Sequence, residues 1–237
     1  MKKQIKFVPS ERVKSVRNGN RYVISDIHGC YKTLQSLLKK VNLASNDQLF
    51  FLGDFIDRGP DSAKTLDMIL ELMSGFPEIY ALRGNHEQML MEVMQHNPEE
   101  VIHYARYYKV SNLLENALVK EKYMRFFKSL PYFYELDDCY LVHAGFNFQA
   151  ANPFTDYTSM LYIRGFKPDA KRLNNKIVIH GHDPTPIDLI KKNIKNRGLK
   201  IPLDNGCVFN NPDIGLGTLL CLNLDSFELI KQKNIDF

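Results

Sequence analysis

Carboxylate and guanidinium side chains gather in one short stretch of the chain, G-D-F-I-D-R-G-P, which runs from Gly53 to Pro60. The apolar run 49–52 ends at a glycine and is followed by Asp54, Asp57 and Arg58. This pattern is typical of a buried strand that releases polar residues at its carboxyl end. Carboxylates can hold hard cations, and a guanidinium can bind phosphate. A solvated loop would have the same composition, so the stretch needs support from elsewhere in the chain.

Similar polar clusters follow four other apolar runs. The first contains Asp26 and His28, and these two side chains can aim at one point because positions i and i+2 of an extended chain share a face. The other clusters follow the runs 79–82, 139–142 and 177–179, and their polar residues are Asn85, His86, His143, His180 and His182. Aspartate, asparagine and histidine without thiolate suit hard or borderline divalent ions. An aspartate shared by two ions would make a two-metal site, with the metals roughly 3.5–4 Å apart.

Regular elements must bring these clusters together. Apolar residues at helical spacing in 31–41 predict a strand, helix and strand between Arg21 and Leu52, with parallel strands and a right-handed crossover. A helix capped by Asp61 or Ser62 leads to a third strand at 79–82. Three parallel strands would then release polar side chains at one carboxyl edge, where open α/β sheets bind their ligands.

The rest of the chain changes character at Pro131. Residues 88 to about 130 are predicted to be helical and broken at Asn97-Pro98. Within them, the run 103–108 is interpreted as a helix face over the sheet or the rim of a substrate groove, with base stacking as the alternative. Short strands are predicted afterwards at 132–136, 139–142, 177–179, 189–194, 218–224 and 227–231. We predict a single domain over 21–237 with two sheets, preceded by a basic arm over 1–20.

Composition indicates a cytoplasmic globular protein of 237 residues. The formal charge of +4 is mild, and its excess lies in the first 21 residues, where seven basic side chains face one acidic side chain. A solvated terminus is favoured for this arm over nucleic-acid binding. No signal peptide is expected, because no apolar run lies near the start. No membrane span is expected either, because no apolar stretch approaches the roughly 18 residues that a span needs. Four scattered cysteines predict free thiols in a reducing compartment.

Five motifs, D-I-H-G, G-D-F-I-D-R-G, R-G-N-H-E, H-A-G and G-H-D, resemble in this order those of the phosphoprotein phosphatase (PPP) family of metallophosphoesterases. The resemblance covers nearly the whole chain from about Tyr22 and is closest to the compact bacterial and phage type. It implies an α/β fold of two mixed β-sheets flanked by helices, with the metals at the sheet edge.

The resemblance also implies two divalent metal ions, with manganese expected and iron or zinc as alternatives. By this resemblance, Asp26 and His28 would bind the first ion. Asn85, His143 and His182 would bind the second ion, and Asp54 would bridge the two. His182 is preferred over His180 because the family's ligand follows the small residue of this motif. Ser25 and Ala144 replace glycines that are common in the family, and neither change removes a ligand.

The mechanism implied by the resemblance is direct attack on phosphorus by a hydroxide that bridges the metals. His86 would be the general acid for the leaving oxygen, and Asp57 would orient it. Arg58 would stabilise the charge on the phosphate oxygens. Arg164 is expected to be the second phosphate clamp because it follows an aromatic residue, although tryptophan is usual there; Arg172 is the alternative.

These assignments predict a phosphomonoesterase, with a serine/threonine protein phosphatase acting on a phosphoprotein or phosphopeptide as the leading function. The alternative is a symmetrical dinucleoside polyphosphate hydrolase, whose relatives usually depart from the D-R-G and N-H-E forms kept here. A non-catalytic binding module is a third hypothesis, disfavoured because no ligand is lost. A nuclease would need a stronger basic footprint, and no membrane partner is expected.

Overall fold

The computed structural model describes residues 8–16, 18–76, 78–209 and 211–237. The strands are β1 (Ser10–Arg12), β2 (Arg21–Ile24), β3 (Gln48–Phe51), β4 (Ile79–Ala81), β5 (Leu114–Glu115), β6 (Leu118–Val119), β7 (Phe133–Glu135), β8 (Cys139–Val142), β9 (Ile177–His180), β10 (Lys200–Pro202), β11 (Thr218–Asn223) and β12 (Leu229–Lys233). The helices are α1 (Tyr31–Val41), α2 (Ser62–Gly75), α3 (Asn85–His96), α4 (Val101–Tyr107), α5 (Glu121–Ser129), α6 (Tyr157–Tyr162) and α7 (Ile187–Asn196). Much of the predicted basic arm, including Lys2, Lys3, Lys6 and Arg17, lies outside the described residues.

The first sheet has the order β12-β11-β2-β3-β4. Strands β2, β3 and β4 are parallel, as predicted, while β11 runs antiparallel to β2. Helix α1 has the predicted bounds, and its Leu34 and Leu37 are buried at helical spacing against this sheet. Asp61 caps α2 by accepting a hydrogen bond from the backbone N–H of Lys64 at 3.1 Å. Both predicted strand–helix–strand units are therefore confirmed.

The second sheet has the order β1-β7-β8-β9-β10 and mixes parallel and antiparallel pairs. Its inner face packs on the first sheet, because alternate residues of β2 and β3 (Val23, Phe50) join Leu141 and Ile179 of β8 and β9 in one core. The opposite faces are covered by helices, including α1 and α2 on the first sheet and α6 on the second. The predicted α/β fold with two mixed sheets is confirmed.

The prediction that the segment 88–130 is helical apart from the break at Asn97-Pro98 is wrong in part. Helix α3 already begins at Asn85, and a hairpin of β5 and β6 separates α4 from α5. Asn116 and Ala117 turn this hairpin with φ of 51° and 64°. Such a turn is expected for Asn-Gly but not for Asn-Ala, so the sequence carried little sign of it.

The strand predicted at 189–194 is also wrong, because these residues lie in α7. Ile190 and Ile194 are buried one helical turn apart, whereas Leu189 is 51% exposed. The last strand lies two residues later than predicted, at β12, and β1, β10 and α6 were not predicted.

Two further predictions concern the compartment. All four cysteines fall within the described ranges and are buried free thiols. In the part of the chain that the structure describes, no helix combines the length and apolarity needed to cross a bilayer.

Candidate active site

Four predicted ligands converge from four different elements. Asp54 follows β3, Asn85 opens α3, His143 follows β8 and His182 follows β9. The Nε2 atom of His143 is 3.0 Å from Oδ1 of Asn85 and 3.6 Å from Oδ1 of Asp54. The Nδ1 atom of His182 is 2.9 Å from the same oxygen of Asn85. All but His182 are buried.

The protonation of His143 makes this cluster suitable for a cation. Its Nδ1 lies 2.9 Å from the carbonyl oxygen of Leu52, which can only accept, so Nδ1 carries the proton. Burial lowers the pKa of His143, and the ring is therefore neutral. Its Nε2 thus turns a lone pair toward oxygens of Asp54 and Asn85. Such lone pairs repel one another unless a positive ion lies between them, and this donor set suits a divalent metal.

A second group of ligands shares Asp54. Nε2 of His28 is 3.6 Å from Oδ2 of Asp54, and Nδ1 of His28 is 2.8 Å from the carbonyl oxygen of Ile56. Burial lowers the pKa of His28 to about 3, which leaves the Nε2 lone pair available. The guanidinium of Arg58 donates to this atom at 2.8 Å and so places positive charge in the direction in which a metal would bind.

Asp26 adds an unsatisfied oxygen to this group. Its Oδ2 accepts a hydrogen bond from the backbone N–H of His182 at 3.0 Å, while its buried Oδ1 has no partner among the described residues. Burial raises the pKa of Asp26 well above its usual value, with further increases from the charges of Asp204 and Asp54. A buried carboxylate oxygen without a partner is costly, and a bound cation would remove that cost.

Asp204 was missed by the sequence analysis, although it lies close enough to Asp26 to raise its pKa. Burial raises the pKa of Asp204 itself to about 7, although the hydrogen bond that it accepts from the backbone N–H of Gly206 at 2.6 Å acts to lower it. It follows β10 after the apolar run 201–203, which is the same strand-end pattern that identified the other site residues. The D-N-G sequence that begins at Asp204 is also typical of a turn, which hides this role in the sequence.

Close backbone approach and an unusual conformation accompany the ligands. A Cβ atom on Gly181 would lie 2.0 Å from Oδ1 of Asp26, and one on Gly84 would lie 2.1 Å from Oδ1 of Asp54. Only glycine therefore allows these carboxylates their positions. Five non-glycine site residues have φ between 50° and 73°, and they are His28, Asp54, Asp57, Arg58 and His182. Strained backbone of this kind concentrates at functional sites, where the surrounding packing maintains it.

A proton-donor arrangement lies beside Asp54. Nδ1 of His86 hydrogen-bonds Oδ2 of Asp57, which also accepts from the hydroxyl of Tyr104 at 3.1 Å. Nε2 of His86 is 3.9 Å from Oδ2 of Asp54 and faces the ligand cluster. Burial opposes the charged ring, but Asp54 and Asp57 outweigh it and raise the pKa of His86. The geometry suits a histidine that holds a proton for a leaving group.

Glu87 is another residue that the sequence analysis did not single out for function. Its Oε2 accepts hydrogen bonds at 3.0 Å from the backbone N–H groups of Asp54 and Gly84, and its Oε1 accepts one at 2.8 Å from Phe55. One buried side chain thereby joins the loop after β3 to the start of α3. It fixes Asp54 relative to Asn85 and His86, which precede it in the helix.

The two arginines that were expected to bind phosphate, Arg58 and Arg164, lie at a small pocket next to the candidate ligands. Its volume is about 220 Å³, and its lining comprises Asp54, Arg58, Asn85, His86, Arg164, His182, Pro184 and Phe209. Arg164 is exposed and forms an ion pair with Asp183. The alternative, Arg172, instead donates to the carbonyl oxygens of residues 148, 150 and 151, so its guanidinium is occupied elsewhere.

His180 does not join the ligand cluster. Its ring lies against Phe166 with the centroids 5.2 Å apart, and its Nδ1 is 3.0 Å from the carbonyl oxygen of Gly181. The structure thus brings together Asp26, His28, Asp54, Asn85, His143 and His182 and leaves His180 on the core side of the strand end.

Comparison with known proteins gives the same picture of the fold. A curated relative from Geobacillus sp. (strain WCH70), the asymmetrical bis(5'-nucleosyl)-tetraphosphatase PrpE, is 29% identical over 79% of this chain and 85% of its own length. A symmetrical bis(5'-nucleosyl)-tetraphosphatase from Wigglesworthia glossinidia brevipalpis is 44% identical, but only over 30% of this chain and 26% of its own length.

Solved structures resemble the whole chain. A protein described as a candidate diadenosine tetraphosphatase superposes with a TM-score of 0.66 at 20% identity, covering 98% of this chain and 100% of its own. A serine/threonine phosphatase from Saccharomyces cerevisiae superposes with a TM-score of 0.57 at 17% identity, covering 95% of this chain and 82% of its own. At these identities the superpositions establish the fold alone.

The calcineurin-like phosphoesterase family model matches residues 20–215, a range that contains the complete ligand cluster. Members of this family use a binuclear metal site, and the described residues offer two groups of candidate ligands that share Asp54. Bound divalent ions supply acidity to water and stabilise negative charge on phosphoryl oxygens. This chain belongs to the calcineurin-like phosphoesterase family.

Proposed function

We propose that this chain hydrolyses the phosphoric anhydride chain of dinucleoside polyphosphates in a metal-dependent reaction. Its two metal sites would consist of Asp26, His28 and Asp54, and of Asp54, Asn85, His143 and His182, with manganese as the first metal to test. This proposal takes the alternative of the sequence analysis in preference to the protein phosphatase.

The observation that carries this choice is the extent of the similarity to tetraphosphatases. The PrpE relative aligns over 85% of its own length, so the likeness includes the regions between the shared metal motifs. The retained D-R-G and N-H-E forms had favoured a protein phosphatase, but they concern only two motifs. Alignment along most of both chains is the broader criterion.

The site supports the proposed chemistry through groups that bind phosphate and move a proton. Arg58 and Arg164 line the phosphate-sized pocket and can neutralise adjacent phosphoryl groups. His86 can donate its proton to the leaving phosphate oxygen, while Asp57 and Tyr104 hold its ring. Phe209 stands at the pocket edge, 47% exposed, with the guanidinium of Arg58 5.5 Å from its ring centroid.

We expect the enzyme to cleave an anhydride bond whose hydrolysis gives two unequal products. The relative that aligns along most of its length is named for asymmetrical cleavage, whereas the relative named for symmetrical cleavage aligns over only 26% of its length. We therefore expect AMP and ATP from diadenosine tetraphosphate, and not the two ADP molecules that the symmetrical hydrolase, the alternative hypothesis from the sequence, would produce.

A serine/threonine protein phosphatase is the second candidate, and one specific observation favours it. The leaving alkoxide of a phosphoserine is strongly basic and needs a proton donor, which the buried Asp57–His86 pair provides. A phosphate leaving group has a pKa of about 6 and needs this donor less.

The deciding experiment compares substrates under one metal condition. Purified protein is stripped of metal, reconstituted with manganese, and assayed on diadenosine tetraphosphate and on phosphoserine, phosphothreonine and phosphotyrosine peptides, with the nucleotide products separated by chromatography. We expect kcat/KM to be highest for the dinucleotide, with AMP and ATP as products. A hundredfold preference for a phosphopeptide, equal to about 2.7 kcal/mol of transition-state binding, would contradict the proposal.

A further inference from the structure

The phosphate pocket is too small for the whole of a dinucleotide. Its volume of about 220 Å³ lies below the roughly 300–1,000 Å³ of typical small-molecule sites. A tetraphosphate carries a nucleoside at each end, and these must lie outside the pocket.

A larger cavity adjoins this pocket through Arg164. Its volume is about 710 Å³, and Arg164 lines both spaces. The other lining residues come from the loop after β8, from α6 and from the loop after α6, and include Phe148, Gln149 and Lys167. An arginine shared by the two spaces can bind the phosphate that joins a nucleoside in the cavity to the metal site.

The lining has the chemistry that a nucleoside needs. Phe148 is half-buried, and its ring centroid lies 6.1 Å from that of Phe146 and 6.3 Å from that of Phe166, so an aromatic cluster forms part of the wall. Bases stack on such rings. Within the described part of the chain, the side chains of Gln149 and Lys167 form no hydrogen bond or ion pair with other residues. They therefore offer an amide to a base edge or sugar and a cation to a phosphate.

A competing cavity lacks the connection to the site. A space of about 760 Å³ lies beside α3 and α5, lined in part by Met91, Met94 and Met124. None of its lining residues borders the phosphate pocket. A nucleotide bound there would have no shared side chain through which to reach the metal ligands.

We propose that the cavity between Arg164 and Phe148 is the binding site for one nucleoside of the substrate, with Phe148 as the stacking surface and Lys167 as a contact to a phosphate remote from the metals. This inference rests on the proposed function and adds to it the place where a nucleotide is recognised. Arg164 then serves both parts of the substrate.

Two substitutions test the cavity, each with a matched control. Phe148→Leu removes the aromatic face but retains apolar volume, and Phe154→Leu changes a half-buried ring of the same aromatic cluster that does not line the cavity. Lys167→Gln removes the unpaired cation, and Lys171→Gln removes an exposed lysine four residues away. The melting temperature of each variant shows whether it is folded.

The readouts separate nucleoside recognition from phosphate hydrolysis. AMP and inorganic phosphate binding are measured by calorimetry, and kcat and KM are measured on diadenosine tetraphosphate and inorganic tripolyphosphate. We expect Phe148→Leu and Lys167→Gln to weaken AMP binding five- to tenfold and to raise KM for the dinucleotide similarly. The increase in KM for tripolyphosphate, which has no nucleoside, should be several times smaller. Both controls should behave like wild type.

The outcomes distinguish this proposal from the proposed function. Equal AMP affinity in wild type and both cavity variants would overturn the cavity, even if dinucleotide hydrolysis is strong. Absence of dinucleotide hydrolysis in the wild type would overturn the proposed function, and AMP binding would then decide the cavity by itself. The assignment would also be overturned if a control variant weakened AMP binding as much as the cavity variant with which it is matched.

Discussion

Replacing His86 with asparagine tests the proton-donor assignment most directly. The substitution removes Nε2 beside the ligand cluster, while the side-chain amide of asparagine can still donate toward Asp57. The usual contribution of such a catalyst is about 10²- to 10⁴-fold, or about 2.7–5.4 kcal/mol at 1.36 kcal/mol per tenfold. Because Asp57 and Tyr104 hold the ring in a buried position, we expect the upper part of this range for a basic leaving group.

The size of the loss should follow the basicity of the leaving group. A phosphoserine peptide expels an alkoxide and should lose the full amount in kcat, if the wild type accepts it. Diadenosine tetraphosphate expels a phosphate oxygen with a pKa of about 6. The fold-loss in kcat on this substrate should therefore be at least about ten times smaller than the loss on the phosphopeptide. The metal content of His86→Asn should stay at the wild-type level, measured by elemental analysis.

His103→Asn is the matched control, because His103 is an exposed histidine on α4. It should leave both activities unchanged. Equal losses for His86→Asn on the dinucleotide and on the phosphopeptide would refute the proton-donor role and assign the ring to positioning. Loss of bound metal in the same variant would show that His86 acts as a ligand.

Three further predictions concern the metals, the support of the proton donor, and stability. Asp54→Asn should lower metal content at both sites at once, as measured by elemental analysis, and two tightly held ions in that variant would contradict the bridging role. Tyr104→Phe should lower kcat about three- to tenfold by removing one hydrogen bond of about 1 kcal/mol, whereas Tyr107→Phe, an exposed control on the same helix, should not. Arg21 hydrogen-bonds Asp138 at 2.7 and 2.9 Å and lowers its pKa, so this pair stabilises the fold above the unfolded pKa of about 3.9 and the contribution is lost as pH falls through the lower folded value. Asp138→Asn should therefore lower the free energy of unfolding at pH 7 by up to about 1 kcal/mol, since Asp138 is half exposed, and a difference that persists at pH 2 in urea titrations would refute this.

Local sequence determined the helices and strands whose apolar residues follow a clear pattern within a single segment. The bounds of α1 follow from Leu34 and Leu37 at helical spacing, and the runs at β2, β3 and β4 mark buried parallel strands. The strand-end clusters also identified six residues that the fold brings together. Where the local pattern was short, as in α7, the same reasoning failed, because the six residues 189–194 contain only three apolar side chains, too few to distinguish a strand from a helix by periodicity.

Only the tertiary structure decided which of the remaining polar groups act together. His182 donates its backbone N–H to Asp26 across 156 residues, and Tyr104 reaches Asp57 across 47. The roles of Asp204 and Glu87, the exclusion of His180, and the cavity at Phe148 likewise depend on the packing of distant segments. Residue type and periodicity report what a segment buries, but the direction of each polar side chain at a strand end is set by the backbone turns that follow. At His28, Asp54 and His182 these turns have a positive φ, which aspartate and histidine adopt more often than most residues but which their identity alone does not dictate.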